Sequence, residues 1–168
     1  AVLWQDSFVI GTIGSSVTAG HDNCRYDCYQ QQLERLFGPV LGQAGVRFEV
    51  RNTGQGGDCG DSYNNQVWGL PMLVGDDVDV THYSWTYFES GGGDKLPAAH
   101  EMFYRWSLMM DHAPVPQLIY ANACDKLTVS DQQLLEQYAH WGADVLCMLR
   151  GLAELGYERT EWGEMGDP

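Results

Sequence analysis

The sequence predicts a single α/β domain in which helices wrap a parallel β-sheet. Apolar runs of roughly four to eight residues alternate with longer segments of helical period, which is the pattern of strands joined by helical crossovers. The chain has 168 residues, 44% of them hydrophobic and 19% charged, so it is long enough to bury one core and has a globular composition. We therefore treat residues 1–168 as one domain.

Five apolar runs predict five strands. In order along the chain they are Ser7–Ile13, Arg47–Asn52, Val78–Ser84, Gln117–Ala121 and Asp144–Leu149. The helical periods between them predict helices over Tyr26–Phe37, Ser62–Leu73, Leu96–Met110 and Ser130–Trp141. Ser130 is expected to cap the last helix, because Gln133 stands three residues further on, as in a capping box.

The charge of the chain narrows the range of partners. With 9 basic and 23 acidic side chains the formal net charge is −14, which repels phosphate backbones and anionic lipid surfaces. Nucleic acid is therefore not expected as a partner. No apolar run approaches the roughly 18 to 20 residues of a membrane span, so no transmembrane segment is expected either.

Five cysteines favour an oxidising compartment, either secreted or in an organelle lumen. Cys24 and Cys28 lie four residues apart, which fits a local disulfide or a pair of buried thiols. Together with His21 they read His-x2-Cys-x3-Cys, but a structural zinc site needs four ligands and no second pair follows. We expect no metal and no cofactor. The first residue is Ala1 rather than Met, so the sequence is that of a processed or an incomplete chain.

One segment of the chain is suited to present a reactive hydroxyl. Gly14–Gly20 reads Gly-Ser-Ser-Val-Thr-Ala-Gly and follows the apolar run Phe8–Ile10. A strand that ends in small residues leaves its last side chain uncovered, and a helix that starts nearby aims N–H groups at a developing oxyanion. The segment resembles block I of the SGNH (GDSL-type) serine hydrolases, Gly-Asp-Ser-Leu-Thr-x-Gly. Ser15 and Val17 replace the Asp and the Leu, and the other motif positions match. On this resemblance Ser16 is the nucleophile.

A second segment, Arg51–Asp58, ends the second predicted strand in a glycine-rich turn. Its glycines allow positive φ angles and expose backbone N–H groups to a small anion. The segment resembles block II of the same family, in which an Asn ends the strand and a Gly five residues later supplies an oxyanion-hole N–H. The resemblance assigns that role to Gly57, counted from Asn52. A plain glycine-rich turn is the alternative.

The third segment departs from the family. Block III reads roughly Gly-x-Asn-Asp, and its Asn side chain donates a hydrogen bond to the oxyanion. Aligned by the strand, Phe88 stands at the Asn position and Glu89 at the Asp position. Phe has no hydrogen to donate, so we expect at best a weak enzyme unless Thr86 or Tyr87 serves as the donor.

The last block of the family is an Asp-x-x-His motif. By resemblance Asp167 is the motif Asp, and the His would fall two residues beyond Pro168. Without a general base a serine hydroxyl stays protonated at neutral pH. Among the histidines of the chain, His21 is nearest to Ser16 in sequence and is the candidate substitute. His82 is expected in the core or the cleft, and His100, His112 and His140 at the surface or in the core.

The resemblance covers nearly the whole chain, and the order of strands and loops is similar to eukaryotic and algal SGNH-like proteins. It implies a three-layer α/β/α sandwich of flavodoxin-like type with a five-stranded, mainly parallel sheet. It leaves two functions open. The first, which the Phe88 substitution favours, is a degenerate, non-catalytic binding or structural subunit that has protein partners in a larger assembly. The second is a serine esterase that uses Ser16 on the acyl or acetyl esters of a glycan or lipid.

Overall fold

The computed structural model describes residues 6–21, 27–55, 63–86, 96–120 and 129–147. Strands and helices alternate along these ranges, as the apolar pattern predicts. In chain order the elements are β1 Ser7–Gly14, α1 Tyr29–Gln43, β2 Arg47–Asn52, α2 Tyr63–Trp68, α3 Leu70–Val74, β3 Val80–Ser84, α4 Leu96–Met109, β4 Val115–Tyr120, α5 Val129–Tyr138 and β5 Asp144–Cys147. A 3₁₀ turn, Ala139–Trp141, follows α5.

The five strands form one sheet in the order β2-β1-β3-β4-β5, and every neighbouring pair is parallel. This confirms the predicted five-stranded parallel sheet of flavodoxin-like type. β1 lies between β2 and β3 in the sheet. The connection after β1 therefore leads to a strand on one side of it, and the connection after β2 leads to a strand on the other side. In open α/β sheets ligands bind outside the carboxyl ends of the strands at such a reversal. The loop after β1 is therefore the first place to look for a site.

The two faces of the sheet carry different layers. Side chains alternate between the faces along each strand. One face, which we call the core face, carries Val9, Ile13, Tyr83 and Leu118, which pack with residues from α2 to α5 in a single buried cluster. The opposite face, the α1 face, carries Thr12 and His82, and the His82 ring stacks on Tyr29 of α1. The result is three layers, as predicted.

A glycine allows close packing on the core face. A Cβ on Gly11 would lie 2.6 Å from the Cβ of Val74, so α3 approaches the backbone of β1 directly. Because Gly11 has no side chain, α3 can pack directly on the strand that leads to Ser16.

Several element boundaries differ from the prediction. Helix α1 continues through Pro39 to Gln43, whereas the prediction ended it at Phe37. Pro39 lies on the exposed side of the helix, where water can satisfy the carbonyl that loses its partner. The predicted helix Ser62–Leu73 is two helices that break at Gly69, and Pro71 sits in the first turn of the second one, where its missing N–H costs nothing.

Strand β4 begins at Val115, two residues before its predicted start, and contains Pro116. Its pairing with β5 starts only at Gln117, so the missing N–H of Pro116 removes no bond from that ladder. Helix α5 begins at Val129, so Ser130 lies inside the first turn rather than at the cap position. The predicted capping box is therefore misplaced by at least one residue.

Candidate active site

Ser16 lies in a tight turn directly after β1, at the carboxyl edge of the sheet and at the reversal point between β2 and β3. Within the turn Ala19 N donates to Ser15 O at 3.0 Å and Gly20 N donates to Val17 O at 2.9 Å. Ser16 is partly buried, whereas Ser15 beside it is only 3% exposed. Of the two neighbouring serines, Ser16 is the one that the turn leaves accessible. Its role as a nucleophile stays a prediction.

The glycines of this segment have separate structural reasons. A Cβ on Gly14 would overlap the Thr18 side chain, so only glycine lets the turn fold back over the end of β1. Gly20 has a φ angle of 85°, a left-handed conformation that glycine adopts without steric cost. Both motif glycines are thus required by the shape of the turn that presents Ser16.

The segment after β2 packs against this turn. Asn52 Nδ2 donates to Thr18 O at 2.8 Å, and Asn52 Oδ1 accepts from Gly54 N at 2.9 Å. Gln55 N donates to Gly14 O at 2.9 Å. A Cβ on Gly54 would lie 2.5 Å from Ala19 N, so the two backbones are in direct contact. The structure therefore brings the two glycine-rich segments together, although Gly57 itself lies outside the described residues and its role as an oxyanion donor stays a prediction.

The segment after β3 completes the edge. Thr18 Oγ1 donates to Ser84 O at 3.2 Å, which ties the Ser16 turn to the last residue of β3. The Thr86 hydroxyl donates to Ile119 O at 2.5 Å, and this bond uses its only hydrogen. In this structure the Thr86 hydroxyl is therefore directed to Ile119, and its role as a substitute oxyanion donor stays a prediction. Tyr87, Phe88 and Glu89 lie outside the described residues.

The described histidines lie in different environments. His82 is 4% exposed on the α1 face, its Nε2 lies 3.0 Å from Gln117 Oε1, and burial lowers its pKa to about 4. It is therefore neutral at neutral pH and bound to another partner. His100 is buried on the core face, with its ring centroid 5.1 Å from that of Tyr83, while His112 and His140 are exposed.

The two remaining candidates for the base lie differently. His21 is exposed, and its backbone N–H donates to Ser16 O at 2.9 Å, so this residue closes the turn through its main chain. Asp167 lies outside the described residues, and its role stays a prediction.

A row of polar side chains crosses the α1 face under the Ser16 turn. Asn52, Thr12, His82 and Gln117 stand side by side on neighbouring strands. The Tyr29 hydroxyl lies near Thr12 and Ser84 without a hydrogen bond of normal geometry to either, and its burial raises the pKa of that hydroxyl well above its ordinary value. Sequence reasoning missed this row, because only the register of the strands aligns its members.

Cys28 belongs to the same region. It is buried as a free thiol, and Asn52 Nδ2 lies 3.4 Å from its sulfur. Of the two alternatives for this cysteine, the buried thiol is the one present in the structure; Cys24 lies outside the described residues. In the described ranges no three metal-binding side chains cluster, and no helix there is long and apolar enough to cross a membrane.

Comparison with known proteins identifies the fold. No family model and no curated protein matches the chain. Among solved structures it is similar to CEX, a two-domain esterase active on acetylated mannans, with a TM-score of 0.68, 13% identity, and 95% of this chain and 43% of that chain covered. It is also similar to AlinE4, an SGNH-hydrolase family esterase, with a TM-score of 0.57, 18% identity, and 96% and 85% of the two chains covered. The chain thus spans less than half the length of the two-domain esterase. Its architecture is the SGNH-hydrolase fold.

Proposed function

We propose that this chain is an SGNH-fold protein with a degenerate active site, which acts as a binding or structural subunit of a larger assembly and hydrolyses esters weakly at best. The observation that carries the proposal is the engagement of Thr86. Its hydroxyl hydrogen goes to Ile119 O, while the position of the family's Asn is taken by Phe88, which has no donor. Loss of one oxyanion-hole donor costs on the order of 10² to 10³ in rate in a serine protease.

The electrostatics agree with such a role. His82 is the buried histidine nearest to this edge in the sheet register, and its low pKa and its bond to Gln117 leave it a poor base for Ser16. The net charge of −14 favours protein or neutral glycan ligands over polyanions. Because the chain has five cysteines, we also propose that it is secreted or lies in an organelle lumen.

A second function, an ester hydrolase that uses Ser16, is favoured by a different observation. Asn52, Gln55 and Ser84 each make a hydrogen bond that holds the Ser16 turn in place. A serine that takes part in catalysis requires a turn that is fixed in this way, whereas a serine without a function does not. The similarity to an esterase active on acetylated mannans makes an acetylated glycan the substrate class to test first.

A pair of neighbouring serines separates the two functions. The parent chain, Ser16→Ala and Ser15→Ala are compared on p-nitrophenyl acetate and on an acetylated mannan. The Ser15 hydroxyl is buried without a hydrogen-bond partner, so its removal is a matched control that leaves Ser16 intact. We expect the three proteins to hydrolyse both esters at the same near-background rate. Turnover well above background that Ser16→Ala abolishes and Ser15→Ala keeps would overturn the proposal in favour of the hydrolase.

A further inference from the structure

Gln66 of α2 reaches the strand that carries the Ser16 turn. Its side chain is 1% exposed. Gly14 N donates to Gln66 Oε1 at 2.7 Å, and Gln66 Nε2 donates to Gly14 O at 2.9 Å. A primary amide has the donor and acceptor of a peptide group, so this side chain pairs with Gly14 as a neighbouring strand would.

The same side chain also contacts the end of β3. Trp85 Nε1 donates to Gln66 Oε1 at 3.0 Å. Gly14 O accepts a second bond from Gln55 N at 2.9 Å. Gln66 thus joins three segments of the candidate site: the end of β1 before Ser16, the helix that follows the glycine-rich segment in the chain, and the residue after β3.

Gln66 is bound far more completely than a comparable residue. Gln30 of α1 is also 1% exposed, but neither its Oε1 nor its Nε2 makes a hydrogen bond of normal geometry. Replacing Gln66 by an apolar residue removes the acceptor of the buried N–H groups of Gly14 and Trp85. The same change at Gln30 removes no such hydrogen bond. The two glutamines therefore form a matched pair for mutagenesis.

We propose that Gln66 is the positioning residue of the site, because it fixes the peptide two residues before Ser16 and so sets where the Ser16 turn lies relative to the segments after β2 and β3. A shift of the Gly14 peptide moves the Ser16 turn and the Gln55 contact together, since both are attached to Gly14. A displacement of about 1 Å at a reacting group costs on the order of 10² in rate. The proposal rests on the hydrolase alternative only where it concerns the reaction of Ser16, because the position of the turn does not depend on which of the two functions the site has.

The first test compares Gln66→Met with Gln30→Met by amide hydrogen exchange. In Gln66→Met we expect protection factors to fall at least tenfold at Gly14, and also at Ala19 and Gln55, which Gln66 does not touch. Gln30→Met should leave all three within twofold of the parent. Loss of protection at Gly14 alone, with Ala19 and Gln55 unchanged, would overturn the positioning role.

The second test uses Gln66→Glu, with Gln30→Glu as control, and also decides the matter if Gln66→Met does not fold. A protonated carboxyl can accept from Gly14 N and Trp85 Nε1 and donate to Gly14 O, as the amide does, whereas a carboxylate repels Gly14 O. Burial raises the pKa of a carboxyl above its ordinary value of about 4.3, so the introduced Glu is expected to be protonated at pH 5. Protection at Ala19 and Gln55 should therefore match the parent at pH 5 and fall at least tenfold as the carboxyl ionises in a titration from pH 5 to about 9. A pH-independent result in Gln66→Glu would overturn the proposal, since an effect of side-chain volume alone does not titrate.

Reaction of Ser16 with a fluorophosphonate, followed by mass spectrometry, links position to chemistry. If the parent reacts, Gln66→Met should react at least tenfold more slowly, and an equal rate would overturn the proposal. If the parent is inert, the hydrolase alternative fails, and the exchange measurements alone decide the role of Gln66.

Discussion

The two faces of the sheet differ in how their buried strand threonines are satisfied. On the core face the Thr81 hydroxyl lies 2.7 Å from that of Ser107, among large apolar side chains. On the α1 face several buried polar atoms make no hydrogen bond of normal geometry, namely Thr12 Oγ1, Tyr29 Oη, His82 Nδ1 and both polar atoms of Gln30. Native interiors pair the great majority of such groups, because each unpaired group costs about 1 to 3 kcal/mol. The core face therefore stabilises the fold, and the α1 face carries polarity at a cost.

The largest expected contrast between the faces comes from removing aromatic rings. Phe103 is fully buried on the core face, whereas Phe48 is partly exposed and stacks on Phe8 at 5.9 Å. Phe103→Ala should lower the free energy of unfolding by about 3 to 5 kcal/mol, and Phe48→Ala by about half of that or less. Urea denaturation at pH 7.5 measures both. Equal losses would show that the α1 face stabilises the fold as much as the core face.

A pH titration of stability tests the α1 face through His82. Burial lowers the pKa of His82 from its ordinary 6.5 to about 4. Between pH 6.5 and pH 4 the unfolded chain therefore binds a proton at His82 that the folded chain does not bind. Stability is fully present above pH 6.5 and falls with pH towards 4, by about 2 kcal/mol between pH 7.5 and 5. His82→Gln should remove that part of the slope, whereas the exposed His140→Gln should not. An unchanged slope in His82→Gln would place the acid sensitivity elsewhere.

Two buried strand threonines offer a smaller and cleaner comparison. Thr81 on the core face is paired with Ser107, whereas Thr12 on the α1 face is not paired. Thr81→Val should cost about 1 kcal/mol, because it leaves the Ser107 hydroxyl unsatisfied, and Thr12→Val should be neutral or slightly stabilising. Thermal unfolding of the two variants reads the sign directly. A destabilised Thr12→Val would mean that this hydroxyl has a bound partner, such as an ordered water.

The smallest expected effect comes from an ion pair at the end of β2. Arg51 Nη1 donates to Asp77 Oδ1 at 2.5 Å, and this bond lowers the pKa of Asp77 to about 2. The pair contributes above the ordinary value of 3.8, and its contribution is lost as pH falls towards 2, in a window that begins just below that of His82. Asp77 is more than half exposed, so Asp77→Asn should cost under about 1 kcal/mol at pH 7. The exposed Asp76→Asn is the control, and a larger loss for Asp77 would mark the pair as structural.

The elements that the sequence predicted best are two strands that end at glycine-rich turns. The run Phe8–Ile10 and the glycine after it give β1 to within one residue, and β2 matches its predicted bounds. The contact between the Ser16 turn and the segment after Asn52 follows from the same logic, since the carboxyl ends of neighbouring parallel strands meet at one edge.

The features that the sequence did not predict depend on partners distant along the chain. A Gln inside a helical pattern gives no sign that it will pair with Gly14, which is 52 residues away. The sequence likewise gives no sign that the Thr86 hydroxyl will donate to Ile119 O, which is 33 residues away. The break at Gly69 was missed because one glycine is compatible with a continuous helix at a cost of about 1 kcal/mol.

The bond between Glu34 and β2 has a consequence for self-association. Strand β2 is an edge of the sheet, and Glu34 Oε1 of α1 accepts the hydrogen bond of Val50 N at 2.7 Å. An exposed row of strand N–H groups is a template on which another molecule can add a strand. Here a carboxylate occupies that position on the edge, so an incoming strand must displace it and approach a negative charge. The helix that covers β2 thereby also hinders sheet extension from one molecule to the next.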